Sequence, residues 1–153
     1  MNISGKTRAL LLVLLVLTVL AAGIHLATRT QVPENTLAVE YGGKTHYADL
    51  QGLRLTEIHG ERVNGKGETK PVDGMGFSLC DLLVWTLGED FACKTVTVAA
   101  SDGFSAEVTV DELFEENKAV LLLDEETGSL QLIVFGDSDS KRSVKDIERL
   151  TVK

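Results

Sequence analysis

Residues 77–108 read FSLCDLLVWTLGEDFACKTVTVAASDGFSAEV, and two periodicities meet inside them. Leu79, Leu82, Leu83 and Leu87 fall on one helical face, with Ser78 placed to cap the start and Gly88 to follow the end. From Thr95 the pattern changes. Thr95 to Ala99 is a β-branched strand, and Ser101, Asp102 and Gly103 turn the chain into a partner strand over Phe104 to Val108. A short helix set among strands, rather than alternating with them, predicts an α+β fold with a mixed β-sheet.

The flanking sequence extends this reading. Towards the N-terminus, Thr36 to Tyr41 and Lys44 to Tyr47 enclose Gly42-Gly43, a hairpin signal. Ala48 to Leu53 follows as a turn of helix. A strand through Leu53, Leu55, Ile58 and Val63 turns at Asn64 to Gly67 into a second strand over Glu68 to Val72, with Gly74 and Gly76 read as turn residues. Towards the C-terminus, Thr109 caps a short acidic helix over Asp111 to Glu116. Strands are expected over Ala119 to Leu123, Ser129 to Phe135 and Ile147 to Val152, with a polar loop at Gly136 to Arg142.

The chain has 153 residues, 15 basic against 23 acidic, for a net charge of -8. From Thr28 onward there are 13 basic and 23 acidic side chains, a balance of -10. Such a surface repels nucleic-acid backbones, so nucleic acid is excluded as a partner. Two prolines, two cysteines and no repeat also argue against collagen-like, disulfide-dense and low-complexity classes.

Ala9 to Ala27 (ALLLVLLVLTVLAAGIHLA) carries no formal charge over 19 residues. As a helix at ~1.5 Å per residue it spans about 28 Å, the thickness of a bilayer core. Lys6 and Arg8 precede it and Arg29 follows, so the positive-inside bias leaves residues 1–8 cytoplasmic and exports the rest. A retained transmembrane anchor and a cleaved signal peptide both fit, and the full spanning length favours the anchor. Residues 28–35 then read as a linker and residues 36–153 as one domain at the outer membrane face. Export would place Cys80 and Cys93 where disulfides form. However, a helix between them keeps them roughly 10 Å or more apart, beyond the ~7 Å Cα limit of a disulfide, so two free thiols are expected.

Catalytic signatures are scarce. There is no nucleophile elbow, Walker loop or paired-cysteine zinc spacing. His46 and His59 would make a metal site only if carboxylates such as Glu57 or Glu61 joined them in space. Asp137 and Asp139 begin like a calcium loop, but Lys141 takes the next alternate position and no closing glutamate follows at the required distance. Lys141, Arg142, Ser143 and Lys145 (KRSVK) gather three cations and a hydroxyl in an acidic domain. The group suits a phosphate or carboxylate, or else pairs with Asp137, Asp139, Asp146 or Glu148 on the surface.

Gly76 to Leu83 (GFSLCDLL), Thr95 to Ser105 (TVTVAASDGFS), Leu130 to Val134 (LQLIV) and Arg142 to Leu150 (RSVKDIERL), in this order, resemble the sulfite-oxidase-type molybdopterin-binding domain. The resemblance implies a sulfite-oxidase-like fold behind the N-terminal transmembrane helix. It makes Arg142, Ser143 and Lys145 contacts to a pterin phosphate, and Asp102 and Gly103 the matching turn. It also exposes a departure: the stretch that should supply a cysteine thiolate to molybdenum is Leu55 to Gly60 (LTEIHG), and it holds none. The implied function is therefore a membrane-anchored, extracytoplasmic module that binds a small anionic ligand or a protein partner through Arg142 and Lys145, with molybdopterin possible as cofactor. The alternative is a molybdopterin-dependent oxidoreductase or a subunit of one.

Overall fold

A computed structural model describes residues 35–153. The chain opens with a hairpin, β1 (Thr36–Tyr41) and β2 (Lys44–Asp49), joined by Gly42 and Gly43 at φ 58° and 76°. Those positive angles suit glycine and match the twist of the strands. Asp49 caps a single 3-10 turn, Leu50–Gly52, by accepting from the Gln51 N–H. A second hairpin, β3 (Thr56–Val63) and β4 (Thr69–Ser78), leads into helix α1 (Leu79–Leu87), capped by the Ser78 hydroxyl. Strands β5 (Thr95–Ala100) and β6 (Ser105–Thr109) precede the short helix α2 (Val110–Phe114), which starts in a reciprocal Thr109–Glu112 capping box. Strands β7 (Ala119–Leu123), β8 (Leu130–Val134) and β9 (Ile147–Val152) complete the described chain.

These strands sort into two sheets, ordered β2-β1-β9-β5-β6 and β3-β4-β7-β8. The expectation of an α+β, sulfite-oxidase-like fold on one sheet is thereby corrected. The described residues are mostly β, 48% strand against 14% helix, and they form two sheets. The physical reason lies partly in β4, which runs on through Gly74 and Gly76 instead of turning there. Backbone of β7 passes so close that a Cβ at Gly76 would run into the Leu121 carbonyl, so that glycine admits a neighbouring strand. The first sheet is closed by the last strand, β9, which runs parallel to β1 and antiparallel to β5. Among the described residues no helix is long and apolar enough to cross a membrane, and the expected span at residues 9–27 lies outside them.

The main core forms where the sheets meet. Val39, Val96, Val98 and Leu150 of the first sheet pack with Phe77, Leu121 and Leu132 of the second and with Leu79, Leu82 and Leu83 of α1. Cys80 and Cys93 are both free and half-buried against this core. Burial pushes both thiols above their ordinary range, so neither is poised as a nucleophile.

Candidate functional site

The five residues singled out by resemblance lie at two places. Asp102 and Gly103 make the β5–β6 turn: Gly103 has φ 88°, and Asp102 Oδ1 accepts from the Phe104 N–H at 2.8 Å. A Ser101 N–H to Asp146 carbonyl bond (3.1 Å) brings this turn beside the end of the KRSVK loop. The loop itself lies along the outer edge of β8, where the Leu132 N–H donates to the Val144 carbonyl and Val144 is fully buried. Strand-like alternation around Val144 then turns Ser143 and Lys145 away from the core. Lys145 is exposed and makes no ion pair among the described residues.

Arg142 is the best-held side chain of the set. Nε donates to Asp137 Oδ2 at 2.9 Å and Nη2 to Asp137 Oδ1. Nη1 donates to Glu112 Oε2 at 2.8 Å and to the Glu107 carbonyl at 3.3 Å, while Nη2 also faces Glu112 Oε1 at 2.7 Å. All five guanidinium N–H groups therefore point at protein oxygen. Arg142 holds the Glu112 carboxyl down at about 2, and Glu112 and Asp137 together raise the already high pKa of Arg142. The surface-pairing alternative is thus the one adopted, with Glu112 added as a partner from α2. A guanidinium so occupied has no donor left for a phosphate, and the Asp102 carboxylate faces its own turn; the Ser143 hydroxyl accepts from Arg62 and Gln131 and keeps its own O–H to donate. As placed, Arg142, the residue the resemblance leans on most, does not fit a pterin phosphate.

The groove of the domain lies elsewhere. Register pairs put Ile58, Gly60 and Arg62 of β3 on the same face of the second sheet as Val120 and Leu122 of β7 and Gln131 and Ile133 of β8. This face curls until its outer strands meet. A Cβ at Gly60 would strike the Phe135 ring, and Ile58, Val120 and Ile133 form a second, small core under it. Beside that contact an open groove of about 570 Å³ is lined by His59, Arg62, Val63, Asn117, Phe135 and Asp137, among others. None of the five candidates from the resemblance lines it.

Arg62 is half-buried in the wall of this groove. Nη1 donates to Ser143 Oγ at 3.3 Å, and the same hydroxyl accepts from Gln131 Nε2 at 2.8 Å, a relay that ties β3 to β8. No carboxylate among the described residues pairs with Arg62, which leaves four of its five N–H groups without a protein acceptor. His59 presents Nδ1 to Asp73 at 2.7 Å and Nε2 to Glu57 at 3.4 Å. The Asp73 hydrogen bond, then that of Glu57, raises its pKa and favours the imidazolium. His46 lies on β2 in the other sheet, and among the described residues no group of three His, Cys, Asp or Glu side chains is arranged to hold a metal ion. Sequence reading passed over Arg62 because it stands alone between Glu61 and Val63; a half-polar alternation along β3 was its only signal. No protein-family model matches the chain, nor does any curated protein.

Proposed function

We propose that the chain is a membrane-tethered, extracytoplasmic binding module that takes a small anion-bearing ligand in the groove between β3 and β8. The apolar run Ala9 to Ala27 behind Lys6 and Arg8 supports the tether and its orientation. The observation that carries the ligand class is Arg62, a half-buried guanidinium in a groove, with one weak hydroxyl bond and no carboxylate partner among the described residues. Its planar fork matches a pair of carboxylate or phosphate oxygens, and the Phe135 ring and Val63 offer an apolar wall to the rest of such a molecule. The domain's balance of -10 repels anions at a distance, so capture rests on short-range hydrogen bonds and modest affinity follows.

The test is titration of the full chain with benzoate and with inorganic phosphate while amide resonances are followed. Shifts centred on residues 59–63, 117 and 135–137, abolished by Arg62→Met, are expected. Shifts centred on residues 141–146, or binding that survives Arg62→Met, would overturn the assignment.

A further inference from the structure

Helix α1 turns Leu79, Leu82 and Leu83 into the core and Trp85 outward, where the indole is 60% exposed. It is the single tryptophan of the chain. Its ring lies over Gly52, with an added Cβ there 3.0 Å from Cζ2, and beneath it Leu53, Arg54, Phe77, Asp81 and Val84 line a cavity of about 340 Å³. Leu55 adds a further exposed aliphatic at 37%, and Arg54 has no ion pair among the described residues. An aromatic ring with a polar edge, flanking leucines and an unpaired arginine is unusual dress for a surface facing only water.

The position of this patch says what it faces. The Leu50 N–H donates to the Asn35 carbonyl at 3.1 Å, so the described chain begins against the same 3-10 turn that carries Gly52 under the indole. From Ala27, the end of the apolar run, to Asn35 there are eight residue steps. Fully extended they reach about 28 Å, and as a flexible coil roughly 16 Å on average. On the tethered reading, a span ending at Ala27 would keep the Asn35 end of the domain within one short tether of the lipid headgroups.

We propose that the Trp85 face, with Leu53, Arg54 and Leu55, docks on the phospholipid surface of the membrane that anchors the chain. This inference rests on the tethered reading above. The indole and leucines enter the headgroup and glycerol layer, where tryptophan and short aliphatics partition, and Arg54 reaches lipid phosphate. The tether supplies high local concentration, so a patch this small suffices.

The single tryptophan reports directly. The full chain is reconstituted in phosphatidylcholine vesicles, and resistance to alkaline extraction is measured first. Extraction at high pH overturns the tether, and this inference falls with it. In an embedded chain, lipid brominated near the glycerol is expected to quench Trp85 roughly twofold or more beyond lipid brominated near the chain end, because tryptophan settles at the interface. Leu55→Asp with Arg54→Glu should abolish the difference while leaving the chain embedded. An embedded chain whose Trp85 is quenched freely by aqueous iodide and not by bromolipid overturns the docking alone. So does shielding of Trp85 that rises with protein density at constant lipid, which marks a second copy as the occupant.

Discussion

The two faces of the second sheet are built from alternate residues of the same strands, yet they do different work. On one face Phe77, Leu121, Leu132 and Val134 join the main core and are sealed by the first sheet and α1. On the other, Ile58, Val120 and Ile133 make a core of three buried residues, which gives way to an open groove. The arginines repeat the contrast. Arg142 has every donor turned onto protein oxygen beside α2, while Arg62 lines the groove with most of its donors free of protein acceptors. Under the proposed function, stability and recognition would fall on opposite sides of one layer, so that polar groove residues such as Arg62 could change with little effect on folding.

Truncation across the sheet is the strongest way to break this contrast. Leu132→Ala removes a fully buried side chain from the sealed face and is expected to destabilise by about 4 kcal/mol, against about 2 for Ile133→Ala on the groove side, where neighbours can relax. Urea midpoints at unchanged slope would measure both, and equal losses would erase the distinction.

Next in size is the pair of arginines. Arg142→Met leaves Glu112 and Asp137 close together without their cation and should cost about 2–3 kcal/mol at neutral pH, whereas Arg62→Met should cost less than about 0.5. The acid dependence follows from Glu112, whose side chain is only 20% exposed. Its folded pKa of about 2 lies below the ordinary 4.5, so its contribution is fully present above 4.5 and is lost as pH falls from there through about 2. Glu112→Gln should therefore differ most from the parent at pH 7 and converge with it near pH 2, read by urea unfolding at each pH.

A smaller effect is expected at the seam between the faces. Gly60→Ala forces the Phe135 ring aside and should destabilise by about 1 kcal/mol while weakening benzoate binding, seen by calorimetry and by loss of shifts at residue 135. The smallest concerns His59, which is exposed. Its raised pKa means that the imidazolium and its hold on Asp73 and Glu57 are fully present below pH 6.5 and fade as pH rises through the raised value. Asp73→Asn should lower the titration midpoint of His59, followed by its ring proton resonances.

Much of the local structure was legible in the residues. Gly42-Gly43 announced the first hairpin, Ser78 the start of α1 and Thr109 the start of α2, because turns and caps are set by neighbours a few positions apart. The β3 start was misplaced because Leu53 and Leu55 look like strand residues; they instead precede Thr56 and leave Leu55 exposed. The KRSVK cluster was conspicuous as sequence. Whether its cations were available depended on Glu112, thirty positions away, which no local pattern reveals.

Taken alone, the sequence determined most of the strands, helices and turns, though neither the start of β3 nor the run of β4 through Gly74 and Gly76, together with the acidic balance of the domain and the apolar run that precedes it. These rest on side-chain spacing and composition, which act over a few bonds or not through geometry at all. Only the tertiary structure decided that the strands divide into two sheets, that Arg142 is saturated and that Arg62 faces a groove. Each of those outcomes depends on which distant backbone and which distant carboxylate arrive next to a given residue, and that is settled by packing the whole core at once.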